Sequence, residues 1–238
     1  MIPKKFPRLN SYIWKYAGEF VIIFSSITFS WWFDEWRQER NDRIEEKKIL
    51  INLDANLNQD SLNLAKELRY ILKVDYTLND FLNKLKIDDL KETDSSGVLI
   101  RRLIVAPEFH PNSATFETIK STGELGLIGS DSLSQSIMNL YEVNYNELNF
   151  LIDVYNKTSI ETIWNYSIEN HDLLRVLGEP QDRFYKLSFS TPDRKKLLIN
   201  KIMFSKMAID YSVYRMTNSL DAIKALRKQI RNRVAQLS

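Results

Sequence analysis

The chain has no cysteine, two histidines in 238 residues, and only six glycines and six prolines. Without cysteine there is no disulfide, no thiolate nucleophile and no Cys-based metal or redox site. His110 and His171 stand in no metal-ligand spacing and read as ordinary surface or capping residues. No Gly-x-Gly-x-x-Gly fingerprint, Walker sequence or Gly-x-Ser-x-Gly elbow is present. The spaced glycines from Gly123 to Gly129 lack a phosphate-holding lysine and read as a turn. An excess of one charge is missing too. Thirty-three Lys and Arg against 31 Asp and Glu leave a formal +2, so no large field selects nucleic acid as partner. Carboxylates are plentiful, but no spacing selects a general acid/base pair.

What is present is an apolar run from Ile13 to Phe33, preceded by Lys4, Lys5 and Arg8 and carrying only Lys15 and Glu19 as ionisable residues. Its length predicts a membrane-spanning helix, with Tyr12, Trp14 and Tyr16 at one end and Trp31, Trp32 and Trp36 marking the exit. No small-residue cleavage site follows it. The basic N-terminal flank predicts a cytoplasmic N-terminus, an inner-membrane anchor and a periplasmic C-terminal domain. Glu19, Ser26 and Ser30 recur at helical spacing and, with Gly18, form a candidate interface with a second copy or another inner-membrane protein. The alternative is that the hydroxyls bond to their own backbone.

Two motifs carry a resemblance. Tyr16-Ala17-Gly18-Glu19-Phe20, an apolar run and then Trp36 form one; Ser113-Ala114-Thr115-Phe116, Ile119-Lys120-Ser121-Thr122-Gly123 and Leu127-Ile128 form the other. Together they resemble an uncharacterised family of small, single-span, membrane-anchored proteins common in Bacteroidota. The resemblance implies the anchor and its orientation, and no activity.

Beyond the run, Leu50, Leu57, Leu64, Ile71, Leu78 and Leu85 fall at intervals of seven, predicting a long helix from Asp34 to about Leu85. Asp60, Glu67 and Asp75 interrupt the stripe, which favours a bundle helix over a strict dimeric coiled coil. Asp94-Ser95-Ser96-Gly97 predicts a turn, and Val98 to Val105 a short helix. Asn112 or Ser113 caps another short helix ending at Gly123, and Ser130-Asp131 opens a long one to Leu177. Gly178-Glu179-Pro180 closes that helix, and Thr191-Pro192-Asp193 starts the last.

The expected fold class is therefore all-α: an N-terminal transmembrane helix followed by an elongated antiparallel helical bundle. The expected division is a cytoplasmic tail (1–12), a span (13–33), a juxtamembrane stalk (34–49) and a periplasmic helical domain (50–238). Phe109, Phe116, Phe184 and Phe189 are candidates for a distal contact surface. Arg227, Lys228, Arg231 and Arg233 form a basic patch for anionic lipid or an acidic partner. The expected function is a non-enzymatic, inner-membrane-anchored scaffold or accessory subunit working by protein contacts. Its expected partners are membrane lipid, itself or another membrane protein. The alternatives are a sensory ectodomain relaying through a partner, or an enzyme of unfamiliar type.

Overall fold

A computed structural model describes residues 9–86, 105, 107–170 and 191–237. The described residues are helical apart from short connections, and no strand occurs among them. The first helix, α1, runs unbroken from Leu9 to Lys86, 78 residues, with no proline along its length. Ser113 precedes α2 (Ala114–Thr122), which stops at Gly123, whose φ of 78° is the left-handed conformation that glycine adopts at a helix end without a Cβ penalty. A tight turn over Glu124–Leu127 then leads to Ser130, whose hydroxyl accepts the Leu133 amide and caps α3 (Asp131–Met138). The helix continues through a wide π turn (Asn139–Asn144), α4 (Tyr145–Ser159), a second π turn (Ile160–Trp164) and α5 (Asn165–Asn170). Finally α6 spans Pro192–Gln236, with the Thr191 hydroxyl accepting the Arg194 amide and Pro192 in the first turn.

Side-chain contacts fix the directions of the elements. Residues 107–129 return along α1: the Glu108 amide meets Glu67, the Asn112 amide meets Asp60, Asn56 meets Thr115, and the Gly129 amide meets Glu46. The 131–170 rod then runs parallel to α1, and α6 runs back against both. Lys206 lies beside Asp75 and Arg233 beside Glu46; Tyr166 bonds the Arg194 carbonyl and Arg215 bonds Glu147. The C-terminus therefore sits at the end of the bundle from which the N-terminal part of α1 projects. Leu50, Leu57, Leu64, Ile71, Leu78 and Leu85 are fully buried, facing Ile137, Ile209, Ile223 and Ile230. Six large apolar residues of α6 stand outside the core: Leu197, Met203, Phe204, Met207, Tyr211 and Tyr214 are exposed.

The expected transmembrane helix is corrected. No helix among the described residues is long and apolar enough to cross a membrane. Lys15 and Glu19 cut into the run, leaving 14 uncharged residues from Phe20 to Phe33. At 1.5 Å per residue they span about 21 Å, against roughly 30 Å of hydrocarbon. Ser25, Ser26, Thr28 and Ser30 dilute that stretch further. The fold is an all-α elongated bundle whose first helix continues into the apolar segment. With no span to support them, the inner-membrane placement, the cytoplasmic N-terminus with periplasmic domain, and the membrane-anchored scaffold or ectodomain roles fall as well.

Candidate functional site

Three features of the bundle stand out physically: a projecting apolar arm, a buried carboxylate under a wide turn, and a set of clamps between α1 and α6. The arm is the part of α1 beyond the point where α6 ends. From Tyr16 to Asn41 every side chain is exposed, including Phe20, Ile22, Ile23, Ile27, Phe29 and Trp32, which at about 100° per residue point to all sides of the helix. Gly18 and Glu19 are exposed on it, and a Cβ at Gly18 would meet nothing within 4 Å. The Ser26 hydroxyl donates to the Ile22 carbonyl at 2.8 Å and Thr28 to that of Phe24 at 2.9 Å, so these hydroxyls are satisfied within the helix. Ser30 is exposed beside them. A helix apolar on every face is ordinarily covered on every face.

The buried carboxylate is Asp60, fully inaccessible on α1. Its Oδ1 accepts the Asn112 amide at 2.8 Å, and its Oδ2 accepts the Tyr145 hydroxyl at 3.0 Å. Burial pushes the Asp60 carboxyl above its ordinary range, outweighing the two donated hydrogen bonds that favour the ionised form. Burial and the Asp60 charge likewise push both Tyr141 and Tyr145 upward, so the phenols stay protonated donors. The π turn adds a residue to the helical circuit, and Leu140, Tyr141 and Tyr145 all turn inward around it. Tyr141 stacks on Phe116 at 4.5 Å between centroids and meets Tyr145 edge-on at 5.2 Å; Phe109 meets Tyr145 edge-on as well. Phe109 and Phe116 thus plug the interior rather than face a partner. Phe184 and Phe189 lie outside the described residues.

The clamps use up the basic patch. Arg227 and Arg231 converge on Asp54, at 2.8 and 3.2 Å. Burial raises the Asp54 carboxyl, but the hydrogen bonds from Arg227 and Arg231 prevail and hold it below its usual value. Arg233 makes a two-point contact with Glu46, and Lys206 bridges Asp75 and Asp210. Of the four cations read as a docking patch, Lys228 alone has no such clamp on α1 among the described residues, and it is exposed. The sequence signal for these pairs was the charge itself. Their partners lie more than 130 positions away.

Chemistry for catalysis is not assembled at these places. A cleft of about 420 Å³ beside Gly129, Ser130, Asn232 and Arg233 is open and polar, with the guanidinium committed to Glu46. A second, of about 350 Å³, is lined by Phe109, His110, Asp153 and Asn156, and His110 is turned to solvent. Among the described residues no group of three or more His, Asp or Glu side chains could hold a metal ion.

No family model, curated protein or solved structure matches this chain. The resemblance to the Bacteroidota family is corrected accordingly: its motifs are a Gly-Glu pair, a tryptophan and short Ser/Ala/Gly runs. In the second motif Phe116 and Ile119 pack in the core and Gly123 ends a helix, as in many helical chains, whereas Gly18, Glu19 and Trp36 of the first stand exposed on the arm.

Proposed function

We propose that the chain is a non-catalytic contact protein, in which the bundle braces and presents the projecting arm and the arms of several copies associate. One observation carries this reading: an all-round apolar helix, residues 16–36, emerges from a bundle whose own core is closed. Exposed apolar surface on this scale is what association removes from water, at about 25 cal/mol per Å². The exposed small positions Gly18, Ser25, Ser26, Thr28 and Ser30 would let neighbouring arms approach closely. The collar at residues 34–48 holds five cations and six anions, so arms lying side by side meet little net repulsion.

The test is the mass of the full-length chain by light scattering at micromolar concentration in high salt, where ionic contacts are screened, beside Phe24→Glu/Phe29→Glu. A defined oligomer that the double variant converts to monomer, with unchanged helical circular dichroism, supports the reading. A wild-type monomer, or an ill-defined aggregate, overturns it.

A further inference from the structure

The outer surface of α1 carries a second apolar row, separate from the arm and from the core stripe. Ile44, Ile51, Leu62, Leu72 and Tyr76 are exposed on it, and Leu50 to Leu85 are buried on the other side. At 3.6 residues per turn the five exposed residues fall within about 80° of arc, opposite the buried ones. Between Ile51 and Tyr76 the charges of α1 segregate in the same way, while Glu45 near one end and Asp80 past the other are exposed and paired with Lys48 and Lys84. Glu46, Asp54, Asp60 and Asp75 turn inward to Arg233, to Arg227 and Arg231, to Tyr145, and to Lys206. Lys66, Arg69 and Lys73 are exposed along the outer row. The result is an apolar strip with a basic margin.

The 131–170 rod shows the reverse polarity. Val143, Phe150, Val154 and Ile168 are exposed along it. That rod holds six acidic residues and a single cation, Lys157. Glu147 is taken up by Arg215, whereas Asp153, Glu161 and Glu169 are exposed beside the apolar row. The two strips match in length as well: at 1.5 Å per residue they run about 48 Å and about 38 Å. The α6 row from Leu197 to Tyr214 has no such single-signed margin, because Lys206 sits between Asp75 and Asp210.

We infer that the occupant of the basic apolar strip on α1 is the acidic apolar strip of the 131–170 rod from a second copy of this chain. Opposite margins around apolar rows steer the encounter and set its register. Because the two strips are different surfaces, the contact is head-to-tail and either closes into a ring or extends as a chain. The nine apolar side chains are 38–78 % exposed. They bring roughly 800 Å² of apolar surface together, less than the total of a standard-size interface, so the contact is weak and salt-dependent.

This contact does not depend on the arm, and charge reversal separates the two. The experiment is sedimentation velocity on the full chain carrying Phe24→Glu/Phe29→Glu, with Arg69→Glu/Lys73→Glu or Asp153→Lys/Glu161→Lys added. The arm-disabled chain should still self-associate at low salt and dissociate at high salt. Each reversed pair should weaken that association about tenfold. An equimolar mixture of the two reversed chains should restore it, since the acidic α1 strip of one then meets the basic rod of the other, and the two unchanged strips still match. Circular dichroism of both reversed chains checks that the bundle is intact. Loss of all association in the arm-disabled chain overturns this inference while leaving the arm reading standing. Association indifferent to salt or reversal, or a mixture no better than its components, overturns it too.

Discussion

Arg233 reaches Glu46 across 187 positions of sequence, its Nε donating to Oε1 at 2.8 Å and its Nη2 to Oε2 at 2.9 Å. The Gly129 amide donates to the same carboxylate at 3.1 Å. Three separate segments, the base of α1, the turn before α3 and the last turn of α6, therefore close on one buried acid. Glu46 is 2 % exposed, so removing its cation leaves an uncompensated charge inside the fold.

Arg233→Ala should cost on the order of 3 kcal/mol and lower Tm by roughly 10 °C, measured by thermal and urea unfolding. Gly129→Ala should cost less, about 1 kcal/mol, because the new Cβ meets the Arg233 guanidinium, the far end of a flexible side chain. The two changes share one contact. The double variant should therefore be less destabilised than the sum of the singles.

Asp60 and Asp54 should pull stability in opposite directions with pH. For Asp60 the folded carboxyl binds its proton more readily than the unfolded one, so its contribution is most favourable in acid and declines as pH rises through the carboxylate range. Asp60→Asn mimics the protonated form, and its stability relative to the wild type should be highest at neutral pH and fall toward parity below about pH 4. For Asp54 the folded value is lowered, so its pairing with Arg227 and Arg231 is present at neutral pH and lost as pH falls below the usual carboxylate value. Asp54→Asn should thus lose stability at neutral pH and converge with the wild type in acid. Urea midpoints across a pH series check both signs.

Tyr145→Phe should cost about 1–3 kcal/mol, since the hydroxyl's partner, Asp60 Oδ2, stays buried without that donor. Combined with Asp60→Asn the loss should shrink, because no charge is then left unsatisfied. A double-mutant cycle by urea unfolding gives the coupling.

Amide exchange along α1 should divide near residue 42. Amides from 46 to 82, backed by the core, should exchange at rates set by global unfolding. Those of the arm should exchange fast in the Phe24→Glu/Phe29→Glu chain, because an unpacked helix opens locally. In the assembled wild type they should be protected, and Trp31, Trp32 and Trp36 should lose access to acrylamide.

Periodicity and capping chemistry were readable from local sequence. The Leu50–Leu85 heptads, Gly123 at a helix end, Ser130 and Thr191 as caps all act within one or two turns, so the residues that decide them are adjacent in the chain. Features decided by distant partners were not readable. Asp60 reads as an interruption of a hydrophobic stripe until Tyr145, 85 positions on, arrives to bond it. The C-terminal arginines read as a docking patch until Glu46 and Asp54 engage them. The run from Ile13 to Phe33 reads as a span when length is measured between its outermost apolar residues. It falls short when measured between charges. The π turns left no signal that period counting could detect. Predictions for Asp94–Gly97, the 98–105 helix, His171, Gly178–Pro180 and the Phe184–Phe189 segment lie wholly or largely outside the described residues.

Because α1 is one uninterrupted helix from Leu9 to Lys86, the arm has no swivel of its own. Its azimuth is locked to the bundle like the teeth of two gears on a single shaft. Inserting one residue between Trp36 and Glu46 would turn every arm side chain about 100° relative to the bundle and advance it about 1.5 Å, whereas inserting seven would restore its bearing to within about 20°. An assembly that needs arms and outer strips to engage together would tolerate the seven-residue insertion far better than the single one, so the spacing is itself a coded quantity.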